Sequence, residues 1–239
     1  MPGRLLLVAT PIGNLDDLSP RAARALAESD LVACEDTRHS GRLLAHLGLK
    51  KRLVSLHEHN ERRRIPELLA ALDRDETVAV VSDAGTPLLS DPGYPLTRAA
   101  IAAGARVEAI PGPSAILAAL VASGLPPYPF TFAGFPPPKP GKRRTFYRRL
   151  GGLGHTLVVY ESPHRLTASL DDAIAELGPE RPAALARELT KLHEEVVRGP
   201  LAELAAWSRE RKLLGELVLV IGSESAELTP DSDEKERHS

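Results

Sequence analysis

The sequence predicts an α/β protein of two domains, with a mainly parallel sheet in the N-terminal domain and a mixed sheet in the C-terminal one. Short β-branched or leucine-rich runs alternate with segments of helical period, which is the pattern of α/β architecture. A proline-rich break, Pro111-Gly-Pro113, interrupts this alternation near the middle of the chain. Beyond it, two predicted strands have a short connection, which favours a hairpin and therefore antiparallel pairing.

The N-terminal domain is predicted to span residues 1–111. Its predicted strands are residues 5–9, 31–35, 52–56, 77–82 and 106–110. Ser19 is a suitable N-cap for a first helix that has Pro20 at its first position, since both residue types are favoured there for geometric reasons. The second predicted helix ends at residue 47. The third covers residues 61–72, and the fourth begins after residue 93 and ends at residue 104. A start of the third helix only at Pro66 is the alternative, because proline is tolerated in the first turn of a helix.

The C-terminal domain is predicted to span residues 112–222 and to begin with an apolar helix at residues 114–123. Its predicted strands are residues 130–133, 156–160, 183–188, 194–198 and 216–221, and the third and fourth form the expected hairpin. Residues 223–239 hold six acidic residues, two basic residues and almost no apolar side chain. This composition predicts a disordered, solubilising tail.

Composition excludes several classes of protein. The chain has 239 residues, of which 43% are hydrophobic, and a single cysteine, Cys34, which excludes an intramolecular disulfide and a cysteine-cluster metal site. The single cysteine fits a reducing compartment, so we expect a cytoplasmic protein. No apolar run approaches the roughly 18 residues that a membrane span needs, and we expect no membrane segment. The net charge of −2 argues against nonspecific coating of nucleic acid.

A basic run nevertheless occupies residues 139–149. It contains six basic residues, no acidic residue and two interleaved aromatic residues, a composition typical of RNA-binding patches. The alternative is a solvated loop that leads into a basic helix face. Charge alone favours that alternative slightly.

Three loops rich in glycine, proline and small polar residues directly follow predicted strands, at residues 9–15, 82–93 and 110–115. Ligands gather at the carboxyl ends of parallel strands, where the backbone can approach them closely. The second loop supplies many backbone amides and oxygen acceptors, so we expect it to bind a polar small molecule. None has the glycine pattern of a dinucleotide site or a P-loop. For the first loop, taken alone, an ordinary strand-to-helix turn is favoured. For the third loop a rigid hinge between the domains is the alternative, and it is compatible with ligand binding.

Polar clusters follow the second and third strands, as Glu35-Asp-Thr-Arg-His39 and His57-Glu-His-Asn60. Their position at strand ends favours catalytic or substrate-binding roles over helix caps and surface ion pairs. Two histidines spaced by two residues, without a cysteine partner, do not make a metal site, and we predict none. Charged clusters at residues 160–165 and 187–191 follow strands of the second half. Together with the first-half loops they indicate a cleft between the domains.

Taken in order, these motifs resemble one family, the small-subunit ribosomal RNA cytidine 2′-O-methyltransferases of the tetrapyrrole methylase superfamily. The resemblance covers about residues 5–221 and is carried by the segments Ala9-Thr-Pro-Ile-Gly-Asn-Leu15, Glu35-Asp-Thr-Arg-His39, His57-Glu-His-Asn60, Ser82-Asp-Ala-Gly-Thr-Pro87, Ser90-Asp-Pro-Gly93, Pro111-Gly-Pro-Ser-Ala115, Phe132-Ala-Gly-Phe135, Tyr160-Glu-Ser-Pro-His-Arg165 and Ala186-Arg-Glu-Leu-Thr-Lys191. Some members continue into a small C-terminal domain where this chain has its acidic tail. The basic run at residues 139–149 then becomes the main candidate for RNA contact.

The resemblance implies two α/β domains with S-adenosylmethionine in the cleft between them, and a homodimer as the assembly. It also implies a substrate, a decoding-region cytidine of 16S rRNA in the small ribosomal subunit, cytidine 1402 in the standard numbering. The cofactor contacts carried over by motif position are Pro11, Ser82, Asp83, Gly85, Thr86, Ser114, Ala115, Phe135, Glu161 and Ala186. Most of them would be contacts of the backbone.

The implied reaction is a displacement at the sulfonium methyl group by a ribose hydroxyl. Holding oxygen, carbon and sulfur in line contributes roughly 7–11 kcal/mol in favourable cases, so a general base helps without being obligatory. The candidate bases, which the sequence does not rank, are Glu35, Asp36, His57, His59, Glu188 and Lys191. The side chains predicted to contact RNA are Arg38, Lys139, Lys142, Arg143, Arg144, Arg165 and Arg187.

Two other functions stay open. One is methylation of a carbon atom of a tetrapyrrole precursor by the same fold, which needs a wide apolar substrate cleft rather than basic rims. The other is a noncatalytic RNA-binding assembly factor, which the intact cofactor loops disfavour.

Overall fold

The computed structural model describes residues 3–224 and residue 226. The chain divides into two compact units, Met1–Ala115 and Ile116–Ser239. Both units are α/β, with a parallel sheet in the first and a mixed sheet in the second, which confirms the predicted fold class. Most of the predicted acidic tail, namely residue 225 and residues 227–239, lies outside the described residues.

In its described residues, 3–115, the first unit contains a five-stranded sheet, four α-helices that lie wholly within it and a short 3-10 helix, Leu15–Asp17. Its strands are β1 (Arg4–Val8), β2 (Leu31–Cys34), β3 (Arg52–Ser55), β4 (Val78–Val81) and β5 (Arg106–Ile110). Its helices are α1 (Pro20–Glu28), α2 (Thr37–His46), α3 (Glu61–Asp73) and α4 (Tyr94–Ala102). The strand order is β3-β2-β4-β1-β5, and every neighbouring pair is parallel.

Both faces of this sheet are covered. One face carries a buried cluster that includes Leu5, Leu31 and Leu68, and the other carries a cluster that includes Leu6 and Val32. Successive strand residues point to opposite faces, and burial on both is what a parallel sheet flanked by helices requires. Because all five strands run in one direction, their carboxyl ends meet at one edge of the sheet.

The helix starts follow local chemistry. The Oγ atom of Ser19 accepts a hydrogen bond from the Ala22 amide at 3.0 Å, which confirms the predicted cap of α1. Helix α3 begins at Glu61 with Pro66 inside it, so the later start is wrong. Pro66 removes only the bond to the carbonyl group of Arg62, an exposed residue at which water can replace it.

The second unit contains a mixed sheet of five strands in the order β6-β7-β10-β8-β9, in which only the β6–β7 pair is parallel. The strands are β6 (Phe130–Phe132), β7 (Thr156–Glu161), β8 (Pro182–Arg187), β9 (Glu195–Pro200) and β10 (Leu217–Ile221). The helices are α5 (Ala115–Ala122), which starts at the last residue of the first unit, α6 (Pro140–Gly151), α7 (Leu166–Leu177) and α8 (Leu201–Arg209). Strands β8 and β9 form the predicted hairpin, with Leu185 opposite Val197.

Candidate active site

The loops that follow β1 and β4 are joined through their backbones. The Thr10 amide donates to the Gly85 carbonyl oxygen at 2.9 Å, and the Gly85 amide donates to the Thr10 carbonyl oxygen at 3.0 Å. The hydroxyl group of Thr10, a residue only 2% exposed, donates to the Ser82 carbonyl oxygen at 3.2 Å. These bonds give two neighbouring strand ends a fixed arrangement.

The loop after β4 contains several left-handed backbone conformations. Gly85, Leu88 and Ser90 have φ values of 80°, 74° and 72°. At Gly85 a Cβ atom would lie 3.2 Å from Ile12 Cγ2 and 3.6 Å from the Pro113 carbonyl oxygen. Glycine therefore meets both the conformation and the close approach of neighbouring loops. A leucine with positive φ is strained, and such strain is found preferentially at ligand-binding and catalytic sites.

The third loop, after β5, contacts the same place. The Thr86 hydroxyl group donates to the Pro113 carbonyl oxygen at 3.4 Å. A Cβ atom on Gly112 would lie 3.0 Å from Ala9 Cβ, so the β1 and β5 loops also approach each other closely. The three loops that the sequence singled out therefore form one continuous backbone surface at the carboxyl edge of the first sheet.

A buried glutamate fixes the far end of the β4 loop. Glu61 is 6% exposed, and its Oε1 atom accepts hydrogen bonds from the amides of Gly93 at 3.0 Å and Leu96 at 3.3 Å. Both amides belong to the start of α4, where backbone donors have no partner within the helix. Glu61 thereby connects the first residue of α3 to the last residue of the loop.

Carboxylates collect at this edge. Oδ1 of Asp83 accepts a hydrogen bond from the Asp36 amide at 3.3 Å. Burial, followed by the negative charges of Glu35 and Asp83, raises the pKa of Asp91 to about 6. Burial, followed by the charges of Asp83 and Glu58, also raises the pKa of Glu35. Mutual repulsion of this kind favours a cation rather than a phosphate as the ligand here.

The pKa of Asp36 is shifted in the opposite direction to those of Glu35 and Asp91. Hydrogen bonds from Arg38, both from its side chain and from its backbone amide, hold the pKa of Asp36 well below its usual range. The Arg38 guanidinium lies 2.8 Å from Asp36 and is 89% exposed.

His57 and His59 follow β3, and their ring centroids lie 6.0 Å apart. The Asn60 side chain accepts a hydrogen bond from the His57 amide at 2.9 Å.

In the second unit, an aromatic group lies at the end of β7. The ring centroid of Tyr160 is 5.0 Å from that of Phe132 and 5.4 Å from that of Phe135. The Arg165 guanidinium lies 5.9 Å from the Phe135 ring and 2.9 Å from the Glu161 carboxylate. Phe135 is 52% exposed, so its ring is open to a planar partner.

A second ionic group follows β8. Oε1 of Glu188 accepts from Lys191 Nζ at 2.8 Å and from the Glu216 amide at 3.0 Å. Burial raises the pKa of Glu188, but these bonds outweigh it and lower the pKa overall. Burial lowers the pKa of Lys191, but its bonds to Glu188 and Glu216 outweigh it and raise the pKa overall. The pair is thus held in its charged form.

The basic run forms most of α6, and part of it is neutralised. Arg143 is 4% exposed, and its Nη2 atom lies 2.7 Å from Asp172 on α7. Arg144 contacts the same carboxylate at 2.7 Å, and Arg148 contacts Glu176 at 2.7 Å. The sequence could not reveal these partners, which lie 28 or 29 positions further along the chain.

Comparison with known proteins identifies the family to which this chain belongs. The family model of the Tetrapyrrole (Corrin/Porphyrin) Methylases matches residues 4–205. A Mycobacterium bovis protein named ribosomal RNA small subunit methyltransferase I is 52% identical over 221 residues, covering 92% of this chain and 77% of the relative. The protein of that name from Escherichia coli O157:H7 is 47% identical over 227 residues, covering 94% and 79%.

The chain belongs to the tetrapyrrole methylase family, in its ribosomal RNA small subunit methyltransferase I branch. The resemblance that the motifs indicated is therefore confirmed, and the chain is a methyltransferase. Among solved structures, uroporphyrin-III-C-methyltransferase from Thermus thermophilus matches with a TM-score of 0.63 and 26% identity, covering 92% of this chain and 94% of that one. A diphthine synthase matches with a TM-score of 0.74 and 16% identity, covering 94% and 92%, which shows the shared fold alone.

The predicted site residues of this methylase fall into groups. The carboxyl edge of the first sheet carries Pro11, Ser82, Asp83, Gly85, Thr86, Ser114 and Ala115 together with Glu35, Asp36, Arg38, His57 and His59. In the second unit, Phe135, Glu161 and Arg165 lie together, and Glu188 and Lys191 form a separate pair. Ala186 and Arg187 lie on β8, where Ala186 is paired with Val196 and Val218 and Arg187 contacts Glu195 at 3.3 Å.

One predicted RNA contact is corrected by its burial. Arg143 hydrogen-bonds to Asp172, to the Pro138 carbonyl oxygen and to the Ala168 carbonyl oxygen, so its guanidinium is used inside the unit. Lys139, Lys142 and Arg144 are exposed. An exposed position is what a contact with RNA requires.

Two residues of this edge were not among the predicted site residues. Glu61 looked like an ordinary acidic residue in the first turn of a helix, and its partners lie 32 and 35 positions away. Asp91 lies in the same loop as Asp83, and its raised pKa arises from burial, then from the charges of Glu35 and Asp83. The order of the strands, which the sequence did not predict, brings Glu35 after β2 beside this loop.

Metal and membrane features are absent from the described part of the chain. In residues 3–224 and 226, no group of three or more His, Cys, Asp or Glu side chains is suited to hold a metal ion. No helix in those same residues is long and apolar enough to cross a membrane.

Proposed function

We propose that this methylase transfers a methyl group from S-adenosylmethionine to the ribose 2′ hydroxyl group of cytidine 1402 in 16S rRNA of the small ribosomal subunit. The observation that carries the proposal is the joined loop surface of the first unit, with its glycine-dependent backbone and its repelling carboxylates. The names and the 46–52% identity of the relatives support rRNA as the substrate class. A cytoplasmic homodimer is part of the same proposal.

The cofactor suits the chemistry of this edge. Its sulfonium and amino groups are cationic, and carboxylates with raised pKa values gain stabilisation from a nearby positive charge. Its hydroxyl and carboxylate groups need backbone donors and acceptors, which glycine-rich loops expose. We assign Pro11, Ser82, Asp83, Gly85, Thr86, Ser114 and Ala115 to this role on the first unit, and Phe135, Glu161 and Ala186 on the second.

The bound cofactor supplies an activated methyl group. The chain's residues orient the acceptor hydroxyl group and accept its proton. Among the candidate bases, Glu35 fits best, because its raised pKa makes it a stronger proton acceptor than an ordinary carboxylate. Asp36 is a weaker acceptor because Arg38 lowers its pKa. Lys191 is held protonated and Glu188 is occupied by two donors. His57 and His59 are further candidates on the same edge.

A matched pair of variants tests Glu35. We expect E35Q to lower kcat by about 100-fold or more, which is the usual contribution of a positioned base, while the Kd for S-adenosylmethionine changes little. E67Q removes the same charge from a side chain of α3 that is not among the causes of the Glu35 pKa shift, and should keep kcat near that of the wild type. Equal kcat values for E35Q and E67Q would contradict the assignment of Glu35 as the base.

The acceptor is tested by identifying the product. The protein is incubated with S-adenosylmethionine and small subunits from cells that lack this activity, and the RNA is digested to nucleosides for mass spectrometry. We expect 2′-O-methylcytidine as the new product. A cytidine methylated on its base, or methylation of a uroporphyrinogen-type tetrapyrrole with unmodified rRNA, contradicts the proposal. A noncatalytic assembly factor would give no methylated product at all.

A further inference from the structure

The first unit contains a cavity that the loop surface does not use. It has a volume of about 240 Å³ and lies between α1 and the strands β1 and β5. Leu6, Ala25 and Ile110 supply its apolar lining, and three arginines and two glutamates supply its charged lining. The small side chain of Ala25, on the buried face of α1, leaves this space open beside the edge strand β5.

Both glutamates of the cavity already face arginines. Glu28 lies 3.6 Å from Arg4, and Glu108 lies 3.8 Å from Arg4 and 3.1 Å from Arg106. These arginines come from the strands β1 and β5. The negative charge of the cavity is therefore balanced by strand residues.

The other two arginines of the cavity, Arg21 and Arg24, form no ion pair with its two glutamates, and all four residues lie in the described part of the chain. Arg21 and Arg24 lie on α1, both exposed, and within residues 3–224 and 226 neither takes part in an ion pair or a side-chain hydrogen bond. Residues three apart on a helix are neighbours. Because a helix rises about 1.5 Å per residue, Arg24 and Arg21 lie roughly 6 and 10 Å along the axis from Glu28. The cavity is therefore lined by two neighbouring arginines of α1 in addition to its paired charges.

The geometry points to this cavity as a site for backbone phosphate groups of the substrate RNA, bound by Arg21 and Arg24. The inference rests on the proposed function, which supplies the RNA. Guanidinium groups match phosphate oxygens with paired hydrogen bonds. Contacts to phosphates fix the position of a nucleic acid without reading its sequence. Arg21 and Arg24 are thus positioning residues, and α1 becomes an RNA-facing element in addition to α6.

The test compares R21Q/R24Q with R62Q/R63Q in the full chain. Arg62 and Arg63 are exposed residues of α3, so the control removes the same charge from the same unit at a place without this cavity. For R21Q/R24Q we expect the KM for small subunits to rise roughly tenfold with kcat unchanged, because two charge-assisted hydrogen bonds are lost. The slope of log Kd for RNA against log salt should fall by about 2, and the control should match the wild type.

Three outcomes overturn the inference. One is an unchanged KM and salt slope for R21Q/R24Q when the wild type methylates subunits, which leaves the proposed function intact. Another is an equal rise of KM in the control, which indicates a general charge effect. The third is loss of inorganic phosphate binding in R21Q/R24Q with an unchanged KM for subunits, which assigns the cavity to free phosphate. If the wild type itself methylates no rRNA, the proposed function fails instead.

Discussion

The Glu61 carboxylate accepts a hydrogen bond from the Gly93 amide at 3.0 Å, and this contact ties the start of one helix to the end of the candidate cofactor loop. The same oxygen also accepts from the Leu96 amide at 3.3 Å. Because Glu61 is buried, water cannot replace it. The position of the loop therefore depends on a residue that does not itself belong to the loop.

Replacing Glu61 should destabilise the first unit. E61A leaves the Gly93 and Leu96 amides without their acceptor, and we expect a loss of about 2–4 kcal/mol in the free energy of unfolding, measured in urea. E61Q keeps one acceptor oxygen and should lose less than half of that. E67A on the same helix, which breaks contacts of a partly exposed side chain with Arg52 and Arg64, serves as the control and should cost under about 1 kcal/mol. Equal losses for E61A and E67A would contradict this role.

Gly85 offers a test of the loop surface that separates backbone strain from ligand contact. G85A should raise the Kd for S-adenosylmethionine at least about tenfold, because a Cβ atom would lie 3.2 Å from Ile12 on that surface. Gly104 has a similar φ of 78°, and a Cβ atom there would meet nothing within 4 Å, so G104A carries the same backbone strain elsewhere. If calorimetry finds the same Kd for S-adenosylmethionine in G85A and G104A, this loop is not the cofactor-binding site.

Asp91 should make stability depend on pH. Its pKa of about 6 in the fold lies above the ordinary value of 3.8, so the protonated form is favoured by folding. This contribution is complete below about pH 4 and is lost as the pH rises through 6. D91N should therefore stabilise the protein at pH 7.5, on the order of 1–2 kcal/mol after allowance for solvent screening, and give no gain at pH 4. The comparison uses denaturant unfolding, with D73N at an exposed position as the control; a D91N gain that is the same at both pH values refutes the assignment.

The buried ion pair of α6 should matter for folding. R143A leaves Asp172, which is 5% exposed, without its buried partner, and we expect a loss of about 3–5 kcal/mol in unfolding free energy. R144A removes a guanidinium that is 54% exposed and should cost about 1 kcal/mol or less. Thermal and urea unfolding of the two variants measure the difference. Similar stability of both would mean that Arg143 has no structural role.

The exposed side of α6 should contact RNA. Lys142 and Arg149 are seven residues apart, so they lie on one face of the helix, and both are exposed. K142E/R149E should raise the KM for small subunits about tenfold or more while the Kd for S-adenosylmethionine stays unchanged. R62E/R63E on α3 is the control for charge reversal. Wild-type KM values in K142E/R149E would exclude this face as an RNA contact.

The sequence predicted the elements well because their signals are local. Apolar runs, the Ser19 cap and the short connection of the β8–β9 hairpin depend on residues close together in the chain. The three candidate ligand loops were predictable for the same reason, since each directly follows a strand. Family motifs then identified the kind of enzyme, which periodicity and composition alone did not.

What the sequence missed depends on distant partners. The burial of Arg143 follows from the packing of α6 against α7, and a run of basic residues carries no sign of it. Burial is the largest cause of the raised pKa of Asp91, and the charge of Glu35 adds to it because strand order places the loops after β2 and β4 side by side. Interactions across 30 or so positions are fixed by topology, and local patterns do not contain that information.

Methylation of rRNA with S-adenosylmethionine is the central claim, and methyl transfer measures it most directly. The wild-type protein is incubated with methyl-labelled S-adenosylmethionine and with small ribosomal subunits from cells that lack this activity, and label in the purified 16S rRNA is counted. We predict close to one methyl group for each subunit, with none added to subunits from cells that have the activity. Absence of label from 16S rRNA, with the cofactor shown by calorimetry to bind, would contradict the account.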